Sequence, residues 1–359
     1  MSEWKTIKLK DFVTLKRGYD LPHNKSREGN YPVITSTNIR GYHDEYKIDS
    51  PVVTVGRSGS IGKVQIVNEK AWPLNTTLYV KDSKGNNINF IYYYLQTMGL
   101  EQFNSGAGVP TLNRNHIGLL KIKIPDIKQQ EKIANVLSTY DELIENNNRR
   151  IEVLEQIAEE IYKEWFVRMR FPGYENTSFI KGIPEGWGVK RIEELAKFKR
   201  GSNLVNANAI QGEVPVIAGG MKPSCYHNQA NTEAPVITVS ASGANAGYTQ
   251  LNHVAVWASD CSYLDTKETD LIHYLYLLLK VSHREILNLQ VGSAQPHVYA
   301  RDLNNFKFLK PTEELILKMN NIAKEIFNQI KNLTSVNQNL KKQRDLLLPR
   351  LMNGTIEVK

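Results

Sequence analysis

PVVTVGRSGSIG, residues 51–62, comes back as PVITVSASGANAG, residues 235–247, and this recurrence decides the fold. Outward from it, LKRG (Leu15–Gly18) returns as FKRG (Phe198–Gly201), YPVI (Tyr31–Ile34) as VPVI (Val214–Ile217), and Trp72 as Trp257. GAGVPTLNRNHI from Gly106 is answered by GSAQPHVYARDL from Gly292. The offset drifts only from 183 to 186 residues, as short loop insertions between equivalent cores would make it. The chain is two copies of one module.

Each copy leads into a long helix. Asp126 with Gln129, and Thr312 followed by Glu313 and Glu314, mark the two N-termini. The first helix carries a seam at Ile133, Leu137, Tyr140, Ile144, Asn147, Ile151, Leu154, Ala158, Ile161 and Trp165. The second has Leu315, Met319, Ile322, Ile326, Gln329, Leu333, Val336, Leu340, Gln343 and Leu347. Both alternate steps of four and three, the a/d spacing of a coiled coil. About 40 residues at 1.5 Å each make a rod of about 60 Å, too long to lie on one small domain. The helices are therefore expected to pair with each other. Since the first leads to the second globular copy and the second leaves it, they must run antiparallel, giving a pseudo-twofold molecule. Asn147, Gln329 and Gln343 either fix the register or lie solvated at a frayed edge.

Within each copy, short Val/Ile/Tyr runs broken by Gly, Pro and Asn read as strands and loops. More helical stretches lie near residues 89–103 and 270–289. The expected class is α+β: two similar mixed domains, residues 1–125 and 171–311, and two long helices, residues 126–170 and 312–359. FPGYENTSF with IPEGW (residues 171–187) reads as the linker into the second copy.

The net charge of +8 favours a polyanionic partner, and its distribution is uneven. Residues 1–125 hold 17 basic against 10 acidic residues, a net +7, and residues 171–311 hold 13 against 12, a net +1. Residues 1–10 lack the apolar run of a signal peptide, and no stretch is long and apolar enough for a membrane span, so a cytoplasmic location is expected. Cys225 and Cys261 fit neither a disulfide framework nor a zinc pattern.

Gly56–Val64 (GRSGSIGKV) resembles a phosphate-cradling loop but fails the P-loop spacing, and Val rather than a hydroxyl residue follows its Lys. Read as a DNA contact, its backbone amides approach a phosphate with Arg57 or Ser60 near base edges, and Ser58 and Lys63 are further DNA-binding candidates; read structurally, it is a tight turn. Its counterpart keeps Ser242 and Asn245 but loses both basic residues. Arg and Lys pair with guanine, Asn and Gln with adenine, so candidate DNA-binding residues are Lys16, Arg17, Arg40 and Arg114 in the first copy. In the second they are Lys199, Arg200, Asn203, Lys222, Gln295, His297 and Arg301. The repeated pairs Lys16-Arg17 and Lys199-Arg200 point to a shared task, phosphate clamping or a common structural role. No catalytic residue is expected: there is no Pro-Pro methyltransferase motif, GxSxG or HExxH. The eight histidines lack ligand spacing, so no metal is expected, and Asp260 beside Cys261 has no supporting base.

This order of domain, helix, domain, helix resembles the specificity subunit of type I restriction–modification systems. The resemblance covers essentially the whole chain. It rests on the LKRG starts, the GRSGSIGKV loop, the helical block from Ile122 to Phe166, IPEGW, and the closing LKKQRDLLLPRLMNG. It implies a non-catalytic subunit whose two target-recognition domains each read one half of a bipartite, asymmetric DNA target. The coiled coil sets the spacing and docks two modification (methyltransferase) subunits, and restriction (motor-nuclease) subunits complete the complex. S-adenosylmethionine, ATP and magnesium are then expected on those partners and no cofactor on this chain. Two other readings stay open: a specificity subunit of a combined cleavage–methylation system outside type I, and a coiled-coil scaffold that binds proteins.

Overall fold

The computed structural model describes residues 4–106, 108–292 and 296–358. They form two compact units, one of residues 1–146 with 336–359 and the other of residues 147–335. Each unit thus takes its own globular copy and part of both long helices.

In the first unit, β1 (Lys5–Lys8) leads through α1 (Leu9–Phe12) to β2 (Thr14–Arg17). The chain continues with β3 (Tyr31–Ile34), β4 (Ile39–His43), β5 (Val52–Gly56), β6 (Val64–Val67), β7 (Trp72–Pro73) and β8 (Thr77–Asp82). Then come α2 (Ile88–Gln96), α3 (Arg114–Ile117), β9 (Lys121–Ile124) and α4 (Ile127–Tyr162). One sheet has the order β2-β8-β5-β6, a second β4-β3-β7, and β1 pairs with β9. Strand β5 is buried along its whole length, as its unbroken VVTVG run requires. Asn87 caps α2 by accepting the Phe90 amide at 3.0 Å, and α2 buries Phe90, Ile91, Tyr93, Tyr94 and Leu95. These pack with Phe12, Val53, Val55 and Leu78. Burial of each such side chain contributes about 1.5–3 kcal/mol, and that packing fixes the sheet edges on which the loops stand.

The second unit repeats this plan after a short hairpin, β10 (Phe179–Ile180) and β11 (Ile183–Pro184). Its strands are β12 (Gly188–Arg191), β13 (Lys199–Arg200), β14 (Val214–Ile217), β15 (Cys225–His227), β16 (Val236–Ser240), β17 (Thr249–Asn252), β18 (Trp257–Ala258), β19 (Cys261–Leu264) and β20 (Lys307–Lys310). Helices α5 (Ile272–Val281), α6 (His283–Leu287), α7 (Ala300–Asn304) and α8 (Glu313–Met352) complete it. The sheets β13-β19-β16-β17, β15-β14-β18 and β12-β20 match those of the first unit strand for strand. Detail matches too. His43 meets Trp72 edge-on at 5.0 Å, and His227 meets Trp257 at 5.0 Å. His43 Nδ1 accepts the Arg27 amide at 3.2 Å, and His227 Nδ1 the Ile210 amide at 3.0 Å. Helix α5 is buried from Ile272 to Leu279, its run of Leu and Tyr broken only by His273.

Asp126 caps α4, its carboxylate accepting the Gln129 amide at 3.0 Å. In the first unit Arg344 of α8 donates to Asp141, and Asn337 donates to the Ile144 carbonyl at 3.3 Å. Moving forward along α4 therefore means moving backward along α8, so this stretch is antiparallel. In the second unit Ala158 and Tyr162 of α4 share one core with Met319, Ala323 and Phe327 of α8.

Two sequence expectations are corrected here. Val336 is 46% exposed, and Gln329 and Gln343 are exposed as well, while Ile316, Asn320, Ala323, Phe327, Ile330 and Asn337 are buried. Leu315 and Met319 of the expected seam are buried, whereas at Ala323, Phe327, Ile330 and Asn337 the buried position of α8 lies one residue beyond that seam. The reason is that α8 packs on its own domain too, and two of its inward positions are asparagines with partners. Asn320 Oδ1 accepts the Tyr274 amide at 3.1 Å, and Asn337 holds Ile144. The second correction concerns residues 171–187: Phe171 and Trp187 are buried, their rings 5.0 Å apart, within the core of the second unit. This segment is packed structure at both of its ends.

Candidate nucleic-acid interface

The loop after β5 is pinned from three sides. The amides of Gly56, Arg57, Ser58, Gly59 and Gly62 donate to the carbonyls of Lys63, Thr76, Thr76, Pro110 and Gly56 at 2.8–3.1 Å. A Cβ on Gly56 would lie 2.2 Å from the Ser60 carbonyl oxygen, and Gly62, at φ +82°, would meet the Glu101 amide nitrogen at 2.4 Å. The expected amide cradle for a phosphate is therefore absent at these five positions, because their N–H groups are already spent on protein carbonyls. The second unit uses the same frame: Gly243 donates to the Pro296 carbonyl at 3.1 Å and Val298 to that of Ala241 at 3.0 Å.

On this frame the first unit brings several expected residues together. Arg17 Nη2 reaches Asp20 Oδ1 at 3.3 Å, Asn75 donates to the same carboxylate, and Arg57 Nη1 donates to the Asn75 carbonyl at 3.3 Å. Lys16 and Arg114 line a cleft of about 690 Å³ together with Lys10 and Lys81. Beside it Tyr19 and Tyr79 stack at 5.8 Å with their hydroxyls 3.0 Å apart, and burial with the Tyr19 contact pushes the Tyr79 hydroxyl well above its ordinary range. Ser58 pairs with Thr111 in an isolated bridge, and Ser60 is exposed on the loop. Arg40 stands apart on β4, facing a smaller cavity with Leu21 and Tyr42. Lys63 is used inside the protein, donating to the Thr37 carbonyl.

In the second unit Arg200, Ser242, His297 and Arg301 line one cleft of about 690 Å³ with Asp260, Ser262 and Tyr299. His297 stacks on Tyr299 at 5.5 Å with an interplanar angle of 4°, and the Arg301 guanidinium lies 5.4 Å from the same ring. Ser242 donates its hydroxyl to Asp260 Oδ2. Asn245 is turned inward, donating to the Gly219 carbonyl at 3.3 Å, while Asn203 and Lys222 are exposed outside this cleft. Gln295 lies outside the described residues. Lys199 forms an ion pair with Glu268, whose hydrogen bond raises the lysine's pKa. The pairs Lys16-Arg17 and Lys199-Arg200 thus have different surroundings, since Lys16 faces the basic cleft. Cys261 is buried, and that burial pushes its thiol up to about 12, which removes it as a nucleophile at neutral pH.

Lys10, Lys81 and Tyr299 are cleft residues that pattern reading passed over, and Asp260 was weighed there only as part of a nucleophile site. The signal for Tyr299 was its spacing of two from His297, which on extended chain puts both side chains on one side. For His43 and His227, it was their equivalent place in the repeat.

The model of the type I restriction modification DNA specificity domain matches residues 1–156 and 184–348. The chain belongs to this family. Among curated relatives of this specificity family, the type I restriction enzyme MjaIX specificity subunit of Methanocaldococcus jannaschii is 26% identical, covering 99% of this chain and 94% of its own. The MjaVIII specificity subunit of the same organism is 22% identical over the same shares, 99% and 94%. Among solved structures, the type I restriction-modification S subunit from M. genitalium has the same fold, with a TM-score of 0.66 at 18% identity, covering 98% of this chain and 96% of that one. Membership makes this chain a DNA specificity subunit of the type I class, a recognition component rather than a catalytic one. The reading outside type I is not favoured. No described helix is long and apolar enough to cross a membrane.

Proposed function

We propose that each unit reads one half of a bipartite, asymmetric DNA target through the cleft and loops raised on the repeated frame. The observation that carries this reading is one scaffold built twice with different side chains at matching points. Thr76 in the first unit corresponds to Asp260 in the second, and Arg57 to Ala241, as the matching loop hydrogen bonds define. Identical frames keep the same approach to a duplex, whereas different side chains select different base edges. The first unit is the more basic by sequence, so its grip leans more on phosphates.

The paired long helices set the unread gap and offer the surface for two modification subunits, which take S-adenosylmethionine and methylate adenine. Motor-nuclease subunits with ATP and magnesium complete the restriction complex, and this chain holds no cofactor itself. Methylome sequencing of the host with and without the gene tests the reading, since it reports half-sites and gap together. An intact methylome without the gene refutes it. Heptads inserted at matching places in α4 and α8 lengthen the gap; an unchanged gap refutes the spacing role. A protein-binding scaffold instead predicts no DNA retardation by the assembled complex.

A further inference from the structure

Asp260 is an odd residue to find on a surface that meets a polyanion. It lines the open cleft of the second unit, and one of its oxygens, Oδ2, accepts the Ser242 hydroxyl. Oδ1 has no hydrogen-bond partner among the described residues, and no Lys or Arg pairs with this carboxylate there. The first unit handles its own carboxylate differently: Asp20 is bound by Arg17 and by Asn75. At the position matching Asp260 it has Thr76, whose hydroxyl is buried without a partner among the described residues. A carboxylate held by Ser242, with its other oxygen unpartnered on the lining of the cleft, would lose energy beside phosphates and gain it beside a donor. In the major groove the donors on base edges are exocyclic amines, cytosine N4 and adenine N6.

We infer that Asp260 is a specificity-determining residue that accepts a hydrogen bond from an exocyclic base amine in the half-site read by the second unit. Arg200 lines the same cleft with no ion-pair partner among the described residues. It is placed to donate to a guanine, either across the same base pair or next to it. The His297–Tyr299–Arg301 stack forms one wall and fixes where the strand lies. At the matching positions the first unit has Arg17, Arg57, Ser58 and Thr76, and its cleft with Lys10, Lys16, Lys81 and Arg114 is lined by other positions of the frame. The inference rests on the DNA reading proposed above.

The test is selection from randomised duplexes by the complete complex carrying wild-type chain, Asp260→Ala, Asp260→Asn or Ser242→Ala. Asp260→Ala is expected to cut discrimination at one position of one half-site by about ten- to hundred-fold, the range of a good side chain–base contact, and to leave the other half-site intact. Asp260→Asn separates the two amines: it switches a cytosine position to adenine, or sharpens a preference for adenine already present. Ser242→Ala, which frees the carboxylate to rotate, weakens the same position by less. A uniform loss of affinity, or unchanged preferences at every position with the melting temperature preserved, overturns the assignment. Exchanging residues 171–311 for those of another family member controls the premise. If that exchange moves neither half-site, the DNA reading fails; if it moves one and Asp260→Ala moves nothing, only Asp260 is wrong.

Discussion

The stability of the second unit is expected to fall as pH drops from 7 to 5, and His273 is the histidine with the large shift behind it. This imidazole is 6% exposed, stacks on Phe327 at 5.9 Å, and has no hydrogen-bond partner for Nδ1 among the described residues. Burial, aided by His253 and Lys324, lowers its pKa from 6.5 to about 4. The folded state therefore holds it neutral, while the unfolded chain takes up a proton below pH 6.5. Its contribution is fully present above that value and is lost progressively as pH falls towards 4, with no further loss beneath. Between pH 7 and pH 5 the linkage amounts to about 2 kcal/mol. His273→Phe fills nearly the same space and cannot titrate. Urea denaturation of wild type and variant at several pH values, with hydrogen exchange of the α5 amides to locate the change, is the assay. The gap in unfolding free energy should shift by about 2 kcal/mol in favour of the variant across this range. A gap independent of pH would show that His273 is not held neutral by burial.

Other outcomes follow from the helix junction, the glycines and the basic cleft. Asp141 receives the Tyr93 hydroxyl at 2.5 Å as well as Arg344, and both ionic side chains are less than one-third exposed. Asp141→Ala should cost about 2 kcal/mol in urea titration and Asp141→Asn less, because the amide keeps an acceptor. Gly18 and Gly201 are equivalent close approaches, where a Cβ would lie 2.2 Å from the Leu74 oxygen and 2.3 Å from the Ser259 oxygen. Alanine at either should cost about 1–3 kcal/mol, measured by denaturant midpoint. Neutralising Lys16 and Arg114 should lower the slope of log affinity against log salt by about 0.9 for each phosphate contact removed, measured on the assembled complex with non-specific duplex. An unchanged slope would mean the cleft of the first unit does not face the backbone.

The repeat and the two long helices were legible because similarity at a nearly constant offset and a strict four–three rhythm are written along the chain. The register of α8 was less so. Apolar identity drew the stripe through Val336, but hydrogen-bonding needs placed Asn320 and Asn337 inside, and such needs appear only when partners are known. The loop glycines announced a special backbone, yet not whether its amides would be spent internally. That depended on Thr76 and Pro110, which lie far off in sequence. Cleft membership behaved the same way: Arg114 was named for its residue type and Lys16 for its place in the repeat, whereas Asp260 drew notice only for its neighbour Cys261 until its bond from Ser242 was seen.

The division of the helices also sets an order of assembly. Residues 147–335 form a unit inserted within the other, whose core needs Leu351 and Met352 packed against Ile133 and Leu137. A ribosome delivers the insert in full before it delivers those closing residues. The domain synthesised first is thus the one completed last, and until then it waits with an apolar face of α4 uncovered. A premature stop anywhere in the second domain disables both, since it removes the strap that closes the first.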